Sequence, residues 1–182
     1  MKLEKVYIDK VWADEIFYAS ETISNVVITA PAGVTFTQYS QIIGDNATVA
    51  VVGCELSESS GVVTAHVEFI VQEDFTVQVG EIPRPNIDFK LEYEFRFDSD
   101  FTYQKLTLPE DVDIENLHCQ VFRFEGAVQL QNVSLPVGSS TGSFDNFVST
   151  MTKLKALEAI QTFVALGAPP CVKTAPITIP NP

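Results

Sequence analysis

Two histidines, three cysteines and one tryptophan among 182 residues leave little of the material that usually carries chemistry. With only His66 and His118, a histidine-based triad or a three-histidine zinc site has almost nothing to be built from. Cys54, Cys119 and Cys171 are too few and too spread for a disulfide framework, and an odd count leaves at least one thiol unpaired within the chain. Cys54, Cys119, His66 and His118 would suffice in number for a Cys2His2 tetrahedron. The paired short spacings of zinc modules do not occur, however, and such cysteines ordinarily serve as small buried hydrophobes. Positive charge is scarce as well. Eleven basic against 24 acidic side chains give a formal charge of -13, which repels phosphate backbones and anionic lipid and argues against nucleic acid as a partner. No run approaches the roughly 18 apolar residues of a membrane span. Met1 to Lys10 carries charge throughout and lacks the apolar core of a signal peptide, so the chain is expected to be either made in the cytoplasm or seen here after processing.

What the chain does contain is β-forming apolar sequence, with 46% hydrophobic residues, 13 of them Phe, and only 19% charged. From Ile87 to Phe97, the residues Ile87, Phe89, Leu91, Tyr93, Phe95 and Phe97 alternate without a break against Asp88, Lys90, Glu92, Glu94 and Arg96. This two-residue period predicts a strand with one face in a core, and it reads as the anchor of the fold. Shorter strands are expected at Val6 to Trp12, Thr22 to Thr29 and Thr35 to Ile43, followed by a turn at Gly44-Asp45-Asn46. Thr48 to Leu56 and Val62 to Val71 read as a hairpin across the polar turn Ser57 to Gly61. A bulge is expected at Glu73-Asp74, and Gly80 to Asn86, with its two prolines, breaks the pattern most strongly. Asp98-Ser99-Asp100 and Glu125-Gly126 read as further hairpin turns.

The pattern changes after the Gly- and Ser-rich stretch Pro136 to Gly142. Phe144, Phe147, Val148, Met151, Leu154, Leu157, Ile160, Phe163 and Val164 recur at three- and four-residue steps, which predicts an amphipathic helix capped by Ser143 or Asp145 and ended by Gly167. The expected fold is mainly β: an antiparallel β-sandwich or jelly-roll of eight to ten strands over 1–138, with one C-terminal helix over 143–167 packed on it. An extended proline-rich tail follows over 168–182.

Few residues suggest chemistry. Asp98, Asp100 and the acidic run Glu110 to Glu115 offer oxygen ligands of the kind calcium takes, but acidic turns that merely solvate an edge are commoner. Trp12 with Tyr39 or Tyr103 would make a sugar-stacking platform, although a lone Trp is more often core or interface. No catalytic set, cofactor site or metal site is expected. The tail is too apolar for an ordinary solvated end. Its prolines restrict φ, so docking costs less entropy, and Val172, Ile177 and Ile179 supply apolar area. These three residues and Cys171 are the expected assembly contacts, with Cys171 placed for an intermolecular disulfide.

The opening Lys5-Val6-Tyr7-Ile8-Asp9-Lys10-Val11-Trp12 resembles the Val-Tyr-Asp-Lys-Val starts of small spore-surface proteins of endospore-forming Firmicutes, including chains related to the SPOCS-type sporulation domain. The texture of Thr48 to Val79 is similar to their middle region. This chain departs by inserting Ile8 and by its C-terminal pattern. The resemblance implies a non-enzymatic subunit built into a coat, exosporium or appendage. The expectation is thus a homo-oligomeric structural protein that self-assembles into a layer, shell or filament on a spore or other particle, with other surface-layer proteins as further partners. The competing expectation is a monomeric β-sandwich module that binds carbohydrate or another small ligand.

Overall fold

A computed structural model describes residues 2–80 and 87–166. Six long strands account for most of them: β1 (Lys2–Thr29), β2 (Gln41–Ser59), β3 (Val62–Val79), β4 (Ile87–Thr102), β5 (Leu117–Ser134) and β6 (Thr141–Leu166). They form two three-stranded antiparallel sheets, ordered β1-β6-β5 and β2-β3-β4, which pack face to face in a sandwich-like arrangement. One 3-10 turn, Ile114–Asn116, lies in the acidic connection, where the Asp113 side chain accepts from the Glu115 backbone N–H.

The centre of each sheet decides where the core lies. On β3 the inward row Val63, Ala65, Val67, Phe69 and Val71 is fully buried, and Phe75, Val77 and Val79 continue it. This row meets Phe144, Leu154 and Ala156 of β6 in two clusters that run the length of the sandwich. Aromatic contacts tie the layers together. Phe75 meets Phe144 edge to face at 5.3 Å, and Phe69 lies 5.8 Å from Phe124 of β5.

Several expectations need correction. The segment read as a helix over 143–167 is a strand through Leu166, and it is the central strand of its sheet, hydrogen-bonded to β1 and β5. It is therefore part of the body rather than a separate element packed on it. Its inward row is Phe144, Asn146, Val148, Thr150, Thr152, Leu154 and Ala156, all buried. Three polar members interrupt that row while Phe147 and Met151 lie on the other face, so the two-residue period was masked and the three- and four-residue steps stood out. The anchor role belongs to β3 rather than to β4. As an edge strand β4 has a sheet neighbour on one side only, and its inward Phe89, Leu91, Tyr93, Phe95 and Phe97 are half-buried.

Six strands stand among the described residues where eight to ten were expected, because apparent turns fall inside strands. Val6 to Trp12 and Thr22 to Thr29 belong to the single strand β1, which stays paired to β6 through bulges at Trp12 and at Ser24-Asn25. Gly44 (φ 63°) and Asp45 form a bulge in β2 opposite an unbroken β3, which removes the bulge expected at Glu73-Asp74. Asp98 to Asp100 continue β4, and Glu125-Gly126 lie within β5. A Cβ at Gly126 would fall 2.9 Å from the Val49 Cβ of the facing sheet, so glycine here permits close approach rather than a turn. The hairpin joining β2 and β3 through Ser60-Gly61 matches the expectation.

Candidate functional site

At one end of the molecule the sheet narrows to two strands. The third strand, β5, begins at Leu117, which pairs with Glu158 of β6. Beyond that point β1 and β6 have no further strand beside them among the described residues, and they stay in register from Asp9↔Ala159 to Lys2↔Leu166. The result is a ribbon roughly 25 Å long, at 3.2–3.4 Å per residue. Successive residues of a strand face opposite sides, and here both sides are open: Tyr7 is 66% exposed and Ile8 53%, followed by Val11 at 51%. An isolated two-stranded ribbon is marginal in water, and this one holds apolar side chains out on both faces. Among the described residues nothing pairs with its outer edge along β1, and that edge carries no proline. At the ribbon's base Trp12 donates from Nε1 to Glu158 Oε2 at 2.8 Å, and Lys10 Nζ sits 3.4 Å from the Trp12 ring centroid.

A second unusual feature lies in the core. Glu73 interrupts the apolar row of β3 and is 2% exposed. Its Oε2 accepts from Asn146 Nδ2 of the facing sheet at 2.5 Å, while its Oε1 and Asn146 Oδ1 have no partner. Asp45, on the β2 bulge, lies within hydrogen-bonding reach of the same carboxyl. Burial, which disfavours the charged form, pushes Glu73 up to about 7. The Asn146 hydrogen bond opposes the rise, and the Asp45 charge and hydrogen bond add to it. Asp45 is raised too, by burial first and then by Asp74, against the hydrogen bond from Glu73. Glu73 thus keeps its proton to a pH well above the ordinary carboxylate range.

Because the folded protein binds this proton more tightly than the unfolded chain does, the stabilisation is complete below the ordinary value of 4.5. It is lost as pH rises through about 7. The difference corresponds to roughly 3 kcal/mol. Urea unfolding of the wild type should therefore show stability falling between pH 5 and pH 8.5, whereas Glu73→Gln should flatten the curve over that range and gain about 2 kcal/mol at the alkaline end. Parallel curves for the two proteins would show that Glu73 does not hold the proton.

Other candidate residues are not brought together as their chemistry would require. Cys54 on β2 and Cys119 on β5 are joined in a disulfide across the two sheets, with Cα atoms 5.6 Å apart. They are therefore not isolated small hydrophobes, nor are they free to hold zinc with His66 and His118. His66 lies on the outer face of β3, where Nδ1 is 2.8 Å from Asp100 Oδ1, and that carboxylate raises the imidazole pKa. Asp98 and Asp100 sit on the exposed face of β4. Among the described residues no three His, Cys, Asp or Glu side chains are grouped to hold a metal ion. Trp12 and Tyr103 join one core cluster, with Tyr103 edge-on to Phe17 at 5.4 Å, while Tyr39 stands exposed in the β1–β2 connection, so no sugar platform forms. Cys171, Val172, Ile177 and Ile179 lie outside the described residues, as does the tail over 168–182. No described helix is long and apolar enough to cross a membrane.

The ribbon is legible in part: the apolar positions of Val6 to Trp12 predict a strand, but nothing local shows that β5 begins only opposite Glu158. Glu73 was hidden for the same reason, since its burial depends on what faces it. No protein-family model, curated protein or solved structure matches the chain.

Proposed function

We propose that this protein is a non-enzymatic structural subunit that self-assembles into a surface layer, shell or filament. The ribbon carries this reading, because a monomer would leave apolar side chains uncovered on both of its faces and a long strand edge unpaired. A partner that adds a strand there would satisfy the backbone and set its own side chains beside Tyr7 and Val11 on one face and Ile8 on the other. The Cys54–Cys119 bond fits a final location in an oxidising exterior, since cytosolic thiols are kept reduced. The tail over 168–182, with Cys171, remains part of the proposal as a second coupling element, tested by truncation after Gly167.

Size-exclusion chromatography with light scattering, followed by electron microscopy of the peak, provides the test. Multi-subunit species are expected, growing with protein concentration and with added salt, because salt screens the repulsion between subunits of net charge -13. A single 20.1 kDa species at every concentration and salt level would overturn the reading and favour the monomeric binding module.

A further inference from the structure

The ribbon edge also suggests what covers it. We infer that β1 pairs antiparallel with β1 of a second copy about a two-fold axis through Tyr7, extending the sheet continuously across two subunits. This rests on the proposed assembly function and names its contact. Read outward from Tyr7, the strand is complementary to its own reverse. Val6 and Ile8 are both apolar, Lys5 and Asp9 are opposite in charge, Glu4 and Lys10 are opposite in charge, and Leu3 and Val11 are both apolar. In a two-fold antiparallel pair these are the residues that stand opposite one another. Tyr7 would face its own counterpart, Lys5 the partner's Asp9, and by register Glu4 the partner's Lys10.

The parity of the strand is also right. A two-fold axis normal to a sheet must bring residues of the same face together, and a centre on one residue satisfies that along the whole stretch. Lys5, Tyr7 and Asp9 share one face, consistent with Lys5 Nζ lying 5.4 Å from the Tyr7 ring centroid. The matched stretch stops at Val11, immediately before the Trp12 bulge, where β1 slips against β6 and its parity changes. The regular part of the edge and the self-complementary part thus coincide. Lys5, Tyr7, Ile8, Asp9 and Lys10 are all exposed, so neither sheet has to move to admit the second strand.

The test is made in the full chain carrying Cys171→Ser, so that position 171 cannot contribute to cross-linking. Opposed residues of an antiparallel pair have Cα atoms about 4.5–5.5 Å apart, within the range a disulfide spans. Tyr7→Cys is therefore expected to give a covalent dimer as the main species on a non-reducing gel. Lys5→Cys and Asp9→Cys should cross-link when mixed, but each only weakly alone. Independently, Lys5→Asp and Asp9→Lys each place two like-charged pairs at the contact and should weaken association, measured by sedimentation, by about tenfold or more. The double variant Lys5→Asp/Asp9→Lys restores opposite charges and should return to within about threefold of the parent. If the parent assembles but Tyr7→Cys does not cross-link and the charge swap does not rescue, the self-pairing is wrong while the assembly function stands. A parent that is monomeric throughout overturns both.

Discussion

Removing the Cys54–Cys119 bond is expected to lower the stability of the protein by about 4 kcal/mol. The bond closes a stretch with a sequence separation of 65, and the loss of unfolded-chain entropy on closing a loop of that length sets the estimate. It also joins β2 of one sheet to β5 of the other, along one side of the sandwich. The opposite side, between β1 and β4, relies on weaker ties. There Tyr93 donates from its hydroxyl to the Val27 carbonyl at 3.0 Å, and the Glu15 carboxylate accepts from the Gln104 and Lys105 backbone N–H groups. Urea titrations of Cys171→Ser and of Cys54→Ala/Cys119→Ala/Cys171→Ser under identical conditions measure the effect. A difference below about 1 kcal/mol would mean that the two sheets hold their packing without the link.

Phe69→Ala should cost a comparable amount, about 3–5 kcal/mol. Phe69 is fully buried at the middle of β3, stacks on Phe97 of the neighbouring strand at 4.8 Å and touches Phe124 of the facing sheet. Its truncation leaves a cavity bounded by both layers, and neither sheet can close it without moving a row of interdigitated side chains. Phe95 provides the control. It lies on edge strand β4, half-buried, with Tyr93 at 5.9 Å as its aromatic neighbour, and Phe95→Ala should cost roughly 1–2 kcal/mol. Equal losses at the two positions would contradict the assignment of β3 as the buried centre and β4 as an edge. Together with the pH dependence set by Glu73, these measurements separate three sources of stability: a covalent link, apolar packing and a buried proton.

The β character of this chain is a local property, legible in its side-chain pattern alone. Alternation along Ile87 to Phe97 and Val63 to Val71 predicts strands because side chains of a strand point alternately to two faces, and Ser57 to Gly61 predicts a turn because glycine admits positive φ. Strand continuity was decided elsewhere. Asp98 to Asp100 and Glu125-Gly126 have turn-like composition, yet pairing along β3 and β6 keeps them extended, since a backbone already hydrogen-bonded in a ladder gains little by turning. The same competition converts the helix-like spacing of Phe144 to Val164 into a strand. Its backbone groups are satisfied by β1 and β5 up to Glu158 and by β1 on one side beyond it, and the facing sheet accepts Asn146 opposite Glu73, which no periodicity within 141–166 could reveal. Which cysteines pair, which carboxyl is buried and where β1 and β6 run on past the start of β5 all depend on residues tens of positions apart meeting in the folded chain. Those features emerge on folding, because each is set by the partner a residue meets in space and not by its own neighbours in the chain.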